Sequence, residues 1–164
     1  MLTKDVGTSN NPLAGRPMKA FTYTLKLEST CAPEFIDITD QAVQIISEAQ
    51  VEMGFAVIYS THTTAAIKIN ENEPLLMKDM ANFLERIAPR NGTYGHNDFS
   101  VRTVNMTEDE CPNGHAHCQH LVLSASETVP IVNGRLTLGK WQRIFMLELD
   151  RPRAREVIIQ VLGV

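Results

Sequence analysis

Four of the five histidines lie beside amides, acids, hydroxyls or glycine: His62-Thr63-Thr64, His96-Asn97-Asp98, and both imidazoles of Asn113-Gly114-His115-Ala116-His117. Imidazole moves protons near neutral pH and is the commonest side-chain ligand for transition metals. Two imidazoles on one face, joined by a third, match a zinc site that keeps one coordination position open. A strand over residues 117–124 would point His115 and His117 to one face, with His120 turned away. His62, at the end of an apolar strand, or His96, in a long loop, would supply the third ligand. The spacing is that of neither a zinc finger nor HExxH. Taken singly, each histidine also reads as a hydrogen-bonded structural residue.

The carboxylates are read in the same way. Glu71, flanked by Asn70 and Asn72, can hold Mg²⁺ or orient a polar substrate. A turn followed by a helix cap explains the same three residues and is the simpler reading. Asp98 next to His96 can orient the imidazole and raise its basicity. Glu108-Asp109-Glu110 reads as a solvated acidic face. Arg151-Pro152-Arg153-Ala154-Arg155 reads first as a solvated turn and second as a phosphate-binding patch. The lone Trp141 is core or interface filler, or a platform for stacking a ligand. Cys118 next to His117 is no nucleophile–base pair, because adjacent strand residues face opposite sides.

These residues need a frame. Residues 20–28 alternate apolar and polar and read as a half-buried strand. Asp37 or Thr39 caps a helix running to about Met53, with Gly54 just past its end. Residues 55–60 form a nearly continuous apolar strand, expected to be buried on both faces, and residues 65–69 form another. Pro74 opens a helix that stops before Pro89. Residues 90–114 are polar and irregular, and long loops of this kind are usually functional. Strands follow at 117–124, 129–132 and 136–138, with a hairpin at Asn133-Gly134. Further strands lie at 141–149 and 157–162. The pattern predicts an α+β fold of largely antiparallel sheets with two main helices.

Size and composition set the bounds. The 164 residues, 43% hydrophobic and 21% charged, suit one globular domain, read as residues 20–164 after a disordered tail at 1–19. A net charge of −4 argues against a nucleic-acid partner. No apolar run is long enough to span a membrane. Three cysteines without a CxxC pair point to a reducing compartment, hence the cytoplasm.

The chain resembles the YjbQ family from about Phe21 to Val164. The resemblance is carried by His62-Thr63-Thr64-Ala65, Ile69-Asn70-Glu71-Asn72, Tyr94-Gly95-His96-Asn97-Asp98, Pro112 through His117, and the signature from Ser126 through Gly139-Lys140-Trp141-Gln142-Arg143-Ile144. It implies a YjbQ-like fold of packed sheets, a homotrimer with sites near subunit boundaries, and a divalent metal ion, zinc or magnesium. It ranks His62, His96 and His117 as the metal ligands, ahead of His115 and His120. It also implies a thiamine-phosphate synthase-like activity on small phosphorylated metabolites. That reaction couples hydroxymethylpyrimidine diphosphate with thiazole phosphate and releases pyrophosphate. His62, Glu71, His96, Asp98 and His117 are the expected catalytic residues. Asn70, Asn72, Ser126, Lys140, Trp141 and Gln142 are the expected substrate contacts; Glu71 and Asp98 would hold Mg²⁺, and the histidines, Lys140 or Arg143 would meet the diphosphate. Lys140 departs from the family, which usually has Thr there. A non-catalytic metal- or ligand-binding trimer and a metal-dependent phosphate-ester hydrolase are the alternatives.

Overall fold

A computed structural model describes residues 15–164. Residues 1–14 of the expected tail lie outside the described residues, and the first strand, β1, is Lys19–Glu28. The elements that follow are β2 (Glu34–Asp37), α1 (Thr39–Ala49), β3 (Met53–Ser60), β4 (Ala65–Glu71) and α2 (Pro74–Ile87). After a long loop come α3 (Gly114–Leu123), β5 (Ser126–Val132), β6 (Arg135–Leu136), β7 (Gln142–Glu148) and β8 (Ala154–Gly163). Two antiparallel sheets form, in the orders β1-β8-β3-β5-β6 and β2-β7-β4. The expected α+β class is observed, with three α-helices instead of two. No helix among the described residues is long and apolar enough to cross a membrane.

The sheets pack face to face because their strands alternate. Tyr23, Leu25 and Leu27 of β1 turn inward, as do Ala56 and Ile58 of β3 and Val157, Ile159 and Val161 of β8. They meet Ala65, Ile67, Ile144 and Met146 from the smaller sheet, and α1 closes one side with Ala42, Ile46 and Ala49. The other face of the smaller sheet carries Ala66, Phe145 and Leu147, covered by Leu84 of α2 and Ala116 of α3. Strand β7 is therefore buried on both faces and is the centre of a three-layer stack. β3 is not the doubly buried strand that its apolar run suggested. Its inward Ala56, Ile58 and Ser60 are buried, while Met53, Phe55 and Tyr59 look outward and stay exposed.

Three local readings are corrected. Helix α1 ends at Ala49, with Gln50 in the left-handed region at φ 49°. Gly54 instead lies inside β3, where a Cβ would collide with the Leu162 carbonyl of β8. Close strand approach, not helix termination, demands that glycine. The helix cap before Pro74 is Glu73, which accepts from Leu75 N at 2.9 Å and Leu76 N at 2.7 Å. The expected strand at 117–124 is helix α3, whose buried His115, Ala116 and Gln119 share one helical face. Gln119 Nε2 donates to the Leu84 and Ala88 carbonyls at 3.3 and 3.0 Å, tying α3 to the end of α2. That tertiary bond adds to the helix preference of Gln119, Leu121 and Leu123. The hairpin forms as expected, with Asn133 and Gly134 both at positive φ, 51° and 72°.

Candidate functional site

A cleft of about 680 Å³ opens where the β3–β4 connection, the start of β8, the long loop and α3 meet. Its floor is ionic and buried. Arg155 Nε and Nη2 donate to the two oxygens of Glu148, each at 2.6 Å, and Nη2 also reaches Thr64 Oγ1 at 3.0 Å. Glu148 is 0% exposed and accepts further bonds from Ser29 Oγ and the Asp150 amide. Such a pair holds geometry well, because losing either partner strands a buried charge.

Three of the expected residues converge on this cleft: His62, His96 and His117 all line it. His62 sits in the β3–β4 connection, where its Nε2 accepts from Glu156 N at 2.9 Å. Burial, then the nearby Arg155 and Arg153, hold its pKa below the usual histidine value. His96 rides on a single 3-10 turn, Gly95–Asn97. Asn97 Oδ1 accepts from Gly114 N at 2.9 Å, clamping that turn to the start of α3. Tyr94 packs over Gly114 so closely that an added Cβ would lie 2.6 Å from Tyr94 Cβ. The clamp sets the His96 and His117 rings edge to face, centroids 4.7 Å apart. His117 has a lowered pKa, first from burial and second from His96. His115 is displaced by the helix, about 200° around its axis from His117. It is 2% exposed, lies beside the Leu149 backbone and does not line the cleft. His120 does not line it either.

The remaining expected residues are not brought to the histidines. Asp98 serves its own turn, its Oδ1 accepting from Ser100 N at 3.1 Å and Ser100 Oγ at 2.6 Å, and those bonds lower its pKa. Glu71, Asn72, Lys140 and Trp141 line a separate depression of about 440 Å³ with Glu73 and Arg143. There Asn72 Nδ2 donates to Asp37 at 2.8 Å, and Arg143 is held by Asp37 and Asp40 at 2.7 and 3.0 Å. Lys140 Nζ lies 4.5 Å from the Trp141 ring centroid. Gln142 Oε1 accepts from Gly139 N at 2.7 Å and closes a local turn. Asn70 faces an apolar groove between α2 and the smaller sheet. Ser126 opens β5 opposite Tyr59, on the outer face of the larger sheet.

The donor set does not complete a metal site. Among the described residues no three His, Cys, Asp or Glu side chains stand close enough to hold one ion. His96 and His117 supply two donors, His62 has committed Nε2 to a backbone amide, and Glu71 and Asp98 are elsewhere. What the sequence reading missed is the cationic wall. Arg102, Arg153 and Arg155 line the cleft, brought there from the long loop and from the Arg151–Arg155 stretch. The second, phosphate-binding reading of that stretch was the signal for Arg153 and Arg155, and the functional reading of the 90–114 loop the signal for Arg102.

The comparisons with known proteins agree in one direction. The chain is 36% identical over 146 residues to a UPF0047 protein of Methanothermobacter thermautotrophicus, covering 89% of this chain and 94% of that one. It is also 36% identical over 141 residues to the UPF0047 protein YugU of Bacillus subtilis, covering 85% of this chain and 98% of that one. A YbjQ-like protein of unknown function from Sulfolobus solfataricus superposes with TM-score 0.82 at 32% identity, over 90% of this chain and all of that one. A YjbQ/UPF0047 structure from Clostridium acetobutylicum gives TM-score 0.71 at 34% identity, over 86% of this chain and 98% of that one. The family described as UPF0047 protein YjbQ-like matches residues 23–164, and the chain belongs to it.

Proposed function

We propose that the cleft binds a small phosphorylated metabolite and supports thiamine-phosphate synthase-like coupling. In that reaction the carbon–oxygen bond to the diphosphate of the hydroxymethylpyrimidine breaks. The thiazole nitrogen forms the new carbon–nitrogen bond, and pyrophosphate leaves with the bonding electrons. The observation that carries the reading is the meeting of His62, His96 and His117 with three arginines in one cleft. Loss of pyrophosphate needs donors aimed at the oxygens where charge develops, and no enzyme nucleophile. Arginine supplies fixed positive charge, and a neutral imidazole still donates one ring N–H while its other nitrogen accepts a proton.

The test is product formation from the two precursors, followed as thiamine phosphate and pyrophosphate together. The wild type is expected to turn over, and His117→Ala to lose product while keeping its melting temperature. An unchanged rate in that variant would sink the reading.

A specific observation also favours self-association as the homotrimer that the family resemblance implies. Met53, Phe55 and Tyr59 of β3 and Val132 of β5 leave an exposed apolar strip on the outer face of the larger sheet. Apolar strips of this kind mark protein–protein surfaces. The strip ends beside Glu156, whose amide donates to His62 Nε2, so the cleft opens at its edge. Light scattering is expected to give three chains for the wild type and one for Phe55→Glu. A monomeric wild type would refute the assembly and leave the cleft reading untouched.

A further inference from the structure

Donor capacity in the cleft is unevenly spent. Arg155 is bound on two nitrogens by Glu148 and Thr64. Arg102 is a clasp for its own loop. It donates Nη1 to Glu110, Nε to the Val104 carbonyl at 3.3 Å and Nη2 to the Asn105 carbonyl at 2.6 Å. Arg153 differs. Its guanidinium makes one contact among the described residues, Nη1 to Asp150 Oδ2 at 3.3 Å, and its side chain is 40% exposed. The Nε and Nη2 edge donates to no described residue.

Arg153 is nevertheless well held. Its amide donates to Ser29 Oγ at 2.9 Å, fixing the backbone at the start of β8. Asp150, 1% exposed, stands behind the guanidinium and also takes long bonds from Asn113 Nδ2 at 3.5 Å and Cys111 Sγ at 3.7 Å. A buried carboxylate thus holds one end of a planar fork on a residue that lines the cleft, and the fork's other donors are unspent among the described residues. Thr63, His96 and His117 share that cleft, and their side chains make no hydrogen bond to the described residues.

We propose that Arg153 is the anion-reading residue of the cleft and that it takes a diphosphate group. The inference rests on the reading that this cleft is the functional site, and it names the substrate chemistry the site selects. Unspent donors reach the cleft from the β8 start, the β3–β4 connection, the 3-10 turn and α3. Donors converging from several elements suit tetrahedral phosphoryl groups, which present oxygens in three dimensions. A planar carboxylate would leave part of them unmatched. The bidentate fork of arginine fits two phosphoryl oxygens where a lysine would supply only a point charge. Arg151, only two residues away, donates to Asp109 and does not line the cleft.

Calorimetric titration of the full chain with inorganic pyrophosphate, in buffer free of divalent cations, tests this. The wild type is expected to show saturable binding, and Arg153→Met to weaken it by about tenfold or more. Arg153→Lys, keeping the charge and losing the fork, is expected to fall between them, and Arg151→Met to match the wild type. Absence of wild-type binding, or equal weakening by Arg151→Met and Arg153→Met, would overturn the assignment. Circular dichroism checks that Arg153→Met is folded. If it is not, Arg153→Lys decides alone, and affinity equal to wild type overturns the proposal. Loss of pyrophosphate binding in Arg153→Met in a protein without coupling activity would uphold Arg153 and refute the proposed reaction.

Discussion

The histidine cleft and the Glu71–Trp141 depression carry similar residue types, yet they spend them differently. In the depression the guanidinium, Arg143, is taken by Asp37 and Asp40, and Asn72 by Asp37, while the Glu71 and Lys140 side chains stay unbonded among the described residues without an open arginine beside them. Trp141, 62% exposed, carries a lysine on its ring. In the cleft the buried Arg155–Glu148 pair is satisfied, while Arg153, His96, His117 and Thr63 keep open donor or acceptor positions among the described residues. Groups whose bonds are closed locally hold the fold together. Groups positioned by others and left open are the ones that address a ligand.

Four perturbations would break or sharpen this contrast. The largest effect is expected at the cleft floor. Glu148→Ala strands the buried Arg155 charge and should cost about 3–5 kcal/mol of stability in denaturant unfolding. A loss under about 1 kcal/mol would show that the floor is hydrated and not a fixed base. Next, Gly114→Ala pushes Tyr94 and the His96 turn away from α3, at a cost of about 1–3 kcal/mol. Imidazole NMR shifts of His96 and His117 should move in that variant, and unmoved shifts would separate the ring pair from its clamp.

The third perturbation belongs to the depression. Burial alone would raise the Asp37 pKa. Hydrogen bonds from Arg143, Thr39 and Asn72 outweigh it and bring the carboxyl down to about 2. A depressed carboxylate stabilises the fold above its unfolded pKa and loses that contribution as pH falls through the folded one. The contribution should therefore be intact at neutral pH and disappear between about pH 4 and pH 2. Asp37→Asn should lower stability at pH 7 by about 1–2 kcal/mol and flatten the acid limb. An acid limb as steep as wild type would contradict the assignment. The smallest effect is expected at Trp141→Ala, within about 0.5 kcal/mol in stability, because the ring is exposed. Pyrophosphate affinity should be unchanged in that variant.

Much of the fold was legible in local sequence. Alternation marked β1, Asn133-Gly134 marked the hairpin, and Pro74 marked the start of α2. Helix α3 was not legible, because His-Cys-Gln-His-Leu-Val-Leu has neither a clean strand period nor an amphipathic helical stripe, and it mixes helix formers (Gln, Leu) with poor ones (His, Cys, Val). Its state is decided by Gln119 binding the end of α2, a contact over more than thirty positions. Mistaking it for a strand set His115 beside His117, whereas the helix turns one into the core and the other into the cleft. A histidine cluster was legible in residue type, but the choice of His62, His96 and His117 over His115 came from the family resemblance. The separation of Glu71 and Trp141 from them was not, since it depends on how β4 and β7 are placed in the smaller sheet. Arg153 was visible only as a member of a basic run. What distinguishes it from Arg151 and Arg155 is the carboxylate each one meets, and those partners are set by the tertiary fold.

The central claim is that the histidine cleft, and not the Glu71–Trp141 depression, is where this protein meets its ligand. The most direct test is one NMR titration with inorganic pyrophosphate, following the five imidazoles and the single indole together. The account predicts shifts confined to His62, His96 and His117, with the Trp141 indole unmoved. A moving indole with stationary cleft imidazoles would contradict it.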